Sequence, residues 1–136
     1  GRPFVILKTA MTMDGKIATP EGESKWISSG SSRRMVHRLR KRVDAILSAI
    51  GTVRADNPRF TARIRGGTDP VRVIIDPELE TPEGSHVLSC PPRTILVTKK
   101  TVKRTEQLKE AGVEFIHFEE TLDLDELMKT LGRMGI

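Results

Sequence analysis

This sequence predicts an α/β fold, a mostly parallel sheet with helices on both faces. Three observations carry that expectation. Strand-like and helix-like segments alternate along the chain, the strand-like runs are apolar throughout, and Gly, Pro, Asn and Asp mark the breaks between them. A sheet with one wet face would show apolar residues at every second position instead.

The elements follow in order. Phe4-Val5-Ile6-Leu7 reads as a buried strand ending at Lys8-Thr9, and Asp14-Gly15 marks a turn before Ile17-Ala18. A polar stretch from Thr19 to Lys25 leads to Trp26, and the serines around Gly30 offer N-caps for a helix over about Ser32–Arg42. Met35, Val36, Leu39 and Val43 share one face of that helix. Asp44–Ile50 is the next strand, and Thr52–Ala55 forms a helical turn before Asp56-Asn57-Pro58. Strands are predicted over Val71–Ile75, Thr94–Val97 and Val113–Phe118. Helices are predicted over Lys103–Ala111, closed by Gly112, and from Leu124, where Leu127, Met128 and Leu131 form a stripe. A βα unit closing on Met134-Gly135-Ile136 leads us to expect that further strands belong to this domain and that its sheet has an open edge. Apolar residues such as Ile74 and Leu96 would then lose cover.

The 136 residues suit a single domain, and a net charge of +5 suits an anionic ligand, whether metabolite, dinucleotide or nucleic acid. Cys90 is the only cysteine, so neither an intrachain disulfide nor a cysteine-rich zinc site is expected. No apolar run is long enough to span a bilayer and no signal-peptide pattern is present, so cytoplasm is the expected location, without membrane partners. The G-x-G-x-x-G, phosphate-loop, nucleophile-elbow and zinc-deaminase patterns are all absent. No metal ligands are predicted.

Parallel sheets gather ligands at the carboxyl ends of their strands. Lys8, Thr9, Gly51, Thr52 and Asp76 fall at such ends. Lys8 has a second reading as a solvated strand end, and Asp76 as a turn cap before Pro77. Between Arg33 and Arg42 the helix carries seven basic residues, most of them consistent with a wet face. At 100° per residue Arg40 lies about 40° from Val36, on the border of the apolar arc, where its stem can pack while its guanidinium enters a cleft. Arg63, in the loop after Phe60, would suit bidentate phosphate recognition. Trp26 is either core or a ligand-stacking side chain.

Four blocks then make the sequence recognisable: Leu7 to Ala18, Gly22 to Ile27, Arg38 to Pro58, and Pro70 to Asp76. In order and spacing they resemble the reductase domain of the riboflavin biosynthesis deaminase/reductase family. The resemblance implies a dihydrofolate-reductase-like fold and NADPH-dependent reduction of the ribosyl side chain of 5-amino-6-(5-phosphoribosylamino)uracil to the ribitylamino product. By position, Ser24, Arg40, Phe60 and Arg63 would contact substrate, and Ala10, Trp26, Thr52 and Asp56 would border NADPH. Lys8 and Asp56 would act at the reacting sugar. The family's Glu-Gly-Gly-type segment, which follows the last helix, lies beyond this sequence, so an incomplete reductase domain is expected. The resemblance also allows a homodimer and a fused upstream zinc deaminase domain.

Two rival readings are a dihydrofolate-reductase-like enzyme acting on another substrate and a basic nucleic-acid-binding domain. The first lacks a matching buried acid for a pterin. The second is disfavoured by an aromatic content of 4% and the absence of tyrosine, which leave little for base stacking, so no nucleic-acid partner is expected.

Overall fold

A computed structural model describes residues 1–24, 27–99 and 103–136. Four parallel strands form one sheet in the order β1 (Ala45–Ala49), β2 (Val71–Ile75), β3 (Thr94–Thr98) and β4 (Val113–His117). Ala45 pairs with Val71, Val73 with Ile95, and Leu96 with Phe115. Each crossover brings the chain back to the N-terminal end of the sheet. Helix α2 (Ile50–Asp56) follows β1, α3 (Lys103–Glu110) follows β3, and α4 (Leu124–Arg133) follows β4.

Alternation along the strands splits the core in two. Ile74 and Leu96 point to one face and pack with Val53 of α2, Phe60, Leu79, Val87 and the half-buried Leu108 of α3. Val73, Ile95 and Val97 point to the other, where Leu127 and Leu131 of α4 cover them. Helices therefore lie on both faces. The expected loss of cover does not occur at Ile74 and Leu96, both fully buried, because α2, α3 and the loops around Phe60 and Val87 close that side.

Helix α1 (Gly30–Arg40) starts two residues earlier than predicted because Ser29 caps it, accepting a hydrogen bond from Ser32 N at 3.2 Å. Its basic last turn suits the negative end of the helix dipole. The Asp14-Gly15 turn is present, with Gly15 at φ +80° and its N–H donating to Thr12 O at 2.9 Å.

The predicted strand over Phe4–Leu7 is not formed. Phe4 and Leu7 are 90% and 86% exposed. Among the described residues, no backbone–backbone hydrogen bond joins residues 3–11 to another segment. An apolar, β-branched run has strand propensity, but only a partner with matching free N–H and C=O groups makes it a strand. Lys8 and Thr9 are consequently not the end of a strand. The chain is instead anchored one step earlier, where Arg2 pairs with Asp125 of α4 at 2.9 Å.

Candidate functional site

The chain turns sharply between α2 and β2, and the candidate site is built around that turn. Asn57, Phe60 and Arg63 all have positive φ, at 39°, 53° and 54°. Left-handed backbone is unfavourable for side chains other than glycine, so three such residues within seven mark a loop held by its surroundings. The holds are visible. Asn57 Oδ1 accepts from His86 N at 2.9 Å, Asp69 Oδ1 accepts from Ala62 N at 2.7 Å, and the Phe60 ring is buried in the core.

Arg40 reaches this loop from the end of α1. Its Nη1 donates to Thr61 O at 3.3 Å, and its guanidinium carbon lies 6.0 Å from the centre of the Phe60 ring, within cation–π range. Burial lowers the Arg40 pKa from its ordinary value, and the neighbouring charge of Arg63 lowers it further. At this corner the Arg40 and Arg63 charges are close enough to act on one another, an arrangement suited to an anion. Beside it runs a groove of about 660 Å³ lined by Arg34, His37, Arg38, Lys41, Arg42, Arg63 and Ile64. Arg38, assigned to the wet face of the helix, is exposed but also rims this groove.

The corner sits near the N-terminal ends of the strands. Arg40 precedes β1 by five residues, and Val71 N donates to Asp44 O where β1 and β2 begin. Thr52 lies in the first turn of α2, next to the carboxyl end of β1, and Asp56 ends the same helix; both are exposed. A seven-residue helix is about 10 Å long, and Thr52 in its first turn and Asp56 at its end lie between β1 and the loop that carries Arg63 in the chain. Asp76 is not part of an open crevice. Fully buried, its carboxylate accepts from the N–H groups of Glu80 and Thr81 and from Thr81 Oγ1, all at 2.7–2.8 Å, which is the turn-capping role.

Lys8 and Ser24 are exposed and Ala10 half-buried, all within the N-terminal segment that lacks regular secondary structure. The described contacts do not join them to Arg40, Phe60 or Arg63. Trp26 lies outside the described residues. Sequence reasoning missed His37, which also lines the groove. Its three-residue spacing from Arg40, one helical turn, was the available signal.

Residues 3–136 match the RibD C-terminal domain family. The chain belongs to that family. Riboflavin biosynthesis protein RibD of Aquifex aeolicus is 42% identical over 99% of the chain, and the chain spans 38% of its length. A 2,5-diamino-6-ribosylamino-4(3H)-pyrimidinone 5′-phosphate reductase of Methanothermobacter thermautotrophicus is 39% identical over 99% of the chain, which spans 64% of that protein. A crystal structure of a diaminohydroxyphosphoribosylaminopyrimidine deaminase/5-amino-6-(5-phosphoribosylamino)uracil reductase from Thermotoga maritima superposes with a TM-score of 0.84 at 34% identity. It covers 99% of this chain and 37% of its own. The four-stranded parallel sheet is accordingly the RibD reductase-domain, dihydrofolate-reductase-like fold. Among the described residues no helix is long and apolar enough to cross a membrane.

Proposed function

We propose that this RibD-family domain reduces the ribosyl side chain of 5-amino-6-(5-phosphoribosylamino)uracil to the ribitylamino product, with NADPH as reductant. The observation that carries the reading is the convergence of Arg40 and Arg63 on one corner beside the buried Phe60 ring. That corner suits the substrate phosphate: two cations, one of them preorganised by its bond to Thr61 O, and an apolar ring beside it. Relatives named for reduction of phosphorylated ribosylaminopyrimidines support the same chemistry.

With the phosphate at that corner, the body of the substrate runs along α2 toward the carboxyl end of β1. Thr52 and Asp56 fit a nicotinamide riboside there, because an exposed hydroxyl and an exposed carboxylate four residues apart on a helix can meet its amide and ribose hydroxyls. Ala10 and Trp26 belong to the same binding assignment, and Ser24 to substrate. NADPH, when bound, supplies hydride to C1′ of the opened ribose. Asp56 orients the sugar and manages the proton that the neighbouring nitrogen gains. Lys8 hydrogen-bonds the sugar hydroxyls and favours the open form. Acid–base help of this kind is worth about 10²–10⁴-fold.

The test is turnover by the full-length protein, read as loss of reduced-nicotinamide absorbance together with mass detection of the ribitylamino product. Lys8→Met is expected to lower kcat about 100-fold or more while leaving NADPH affinity near the parent's. Absence of product from the parent protein would defeat the assignment, and a Lys8→Met enzyme with parental kcat would remove Lys8 from it.

A further inference from the structure

His37 sits on α1 one turn before Arg40, with its ring against the loop that carries Arg63. Its Nδ1 is buried without a hydrogen-bond partner. A buried ring nitrogen without a partner calls for an explanation, and a bound state of the site that uses it supplies one. The carbonyls of Thr61 and Ala62 lie where a ring N–H can reach them, and they favour the protonated form. Thr61 O is also the acceptor for Arg40 Nη1. One short stretch of backbone thereby links the histidine, the buried arginine and the strained Arg63.

Among the described residues, the charges that act on the ring are the positive ones of Arg40 and Arg63. Arg40 and Arg63 face it, and Arg34, Arg38 and Lys41 from α1, with Arg42 just after it, complete the groove. The Asp69 carboxylate on the same loop is engaged with Ala62 N. Burial foremost, then the Arg40 and Arg63 charges, hold the ring's pKa below the ordinary histidine value, so without an anion the ring is neutral at neutral pH. A dianion between Arg40 and Arg63 offsets the part of that depression that comes from their charges.

We propose that His37 is a positioning residue of the phosphate corner, gaining a proton when a phosphate-like dianion settles between Arg40 and Arg63. Once protonated, both ring nitrogens carry N–H, and the ring can hold the Thr61 and Ala62 carbonyls just before Arg63. This inference rests on the phosphate-corner assignment of the preceding section and adds its regulation. Substrate capture is then coupled to proton uptake, and because linkage is reciprocal, acidification tightens anion binding.

Histidine side-chain NMR on the full-length protein tests it directly, with inorganic sulfate as probe because its charge is constant across the range. Sulfate should raise the titration midpoint of His37. Sulfate should bind about 3- to 10-fold tighter at about pH 5.5 than at pH 8, and His37→Asn should flatten that dependence. The midpoint measurement needs no variant and decides the matter even if His37→Asn fails to fold. An unmoved His37 midpoint, with sulfate binding that Arg63→Ala abolishes, overturns the coupling and leaves the phosphate corner standing. Sulfate binding undiminished in Arg63→Ala overturns both.

Discussion

Arg63 carries two properties that act in opposite directions. Its backbone adopts φ 54°, a conformation unfavourable for any residue with a Cβ, while its guanidinium completes the cation pair with Arg40. Replacement by Ala keeps the backbone penalty and removes the charge; replacement by Gly removes both. A charge-assisted hydrogen bond is worth about 1.5–3 kcal/mol, so both variants should weaken the phosphorylated substrate about 10- to 100-fold. Arg63→Gly should match or exceed the parent's thermal stability where Arg63→Ala does not. Arg38→Ala, at the rim, should lose less affinity than either, and Arg133→Ala on α4 should lose none. Equal KM values for Arg63→Ala and Arg133→Ala would reduce the corner to surface charge. Arg40 was legible in the sequence because its angular position put it on the apolar border. Its meeting with Arg63 was not, because that depends on the Asp69 hold on Ala62 and on left-handed backbone that no local signal in Phe60 or Arg63 announces.

Strand β2 begins and ends where the sequence placed it, Val71–Ile75, since five apolar or stem-burying residues bounded by Pro70 and Asp76 leave few alternatives. The segment from Pro77 to Arg93 was far less legible. Its shape is dictated from a distance by Arg72, buried within β2, whose guanidinium donates to the carbonyls of His86, Ser89 and Pro92. That long-range hold accounts for the unpredicted 3₁₀ turn at His86–Leu88, beside the acceptor carbonyl of His86. The Phe4–Leu7 prediction failed for the converse reason: propensity was present and the pairing partner was not. Between β3 and β4 the tie is ionic. Arg93 just before β3 grips Glu114 of β4 with two bonds, at 2.5 and 2.7 Å. The Arg93 hydrogen bonds hold the Glu114 carboxyl below its ordinary pKa. A depressed carboxylate contributes stability above its unfolded pKa and loses it as pH falls through the folded one. With the side chains 39% and 43% exposed, solvent screens the pair and its worth is at most about 1 kcal/mol. Glu114→Gln should therefore melt slightly below the parent at pH 7, and the gap should close as pH falls below about 4. A gap that widens on acidification would contradict the ionic origin.

Across the whole molecule, order is graded from the middle of the sheet outward. All five residues of β3 are buried, and it is bonded to a strand on each side. Strand β2 is bracketed in the same way, whereas β1 and β4 are edges, and Leu47 of β1 is 44% exposed. The N-terminal segment stands at the far end of this scale. Phe4, Val5, Leu7 and Met13 are exposed, and its first regular backbone bonds are those of the turn between Thr12 and Lys16. Hydrogen exchange reports this gradient, because an amide exchanges through global unfolding only when it is both bonded and packed in the core. Amides of β3 and of the inner residues of β2 should be the slowest and should share one exchange free energy, that of global unfolding. Those of β1 and β4 should exchange faster, through local opening of the edges. Residues 3–11 should exchange within the first time point, apart from slowing set by their own sequence. Strong protection of the Phe4–Leu7 amides in this chain would show that the segment pairs as a strand after all and would place Lys8 back at a strand end. Uniform protection across all four strands would instead mean that the edges open only with the whole sheet.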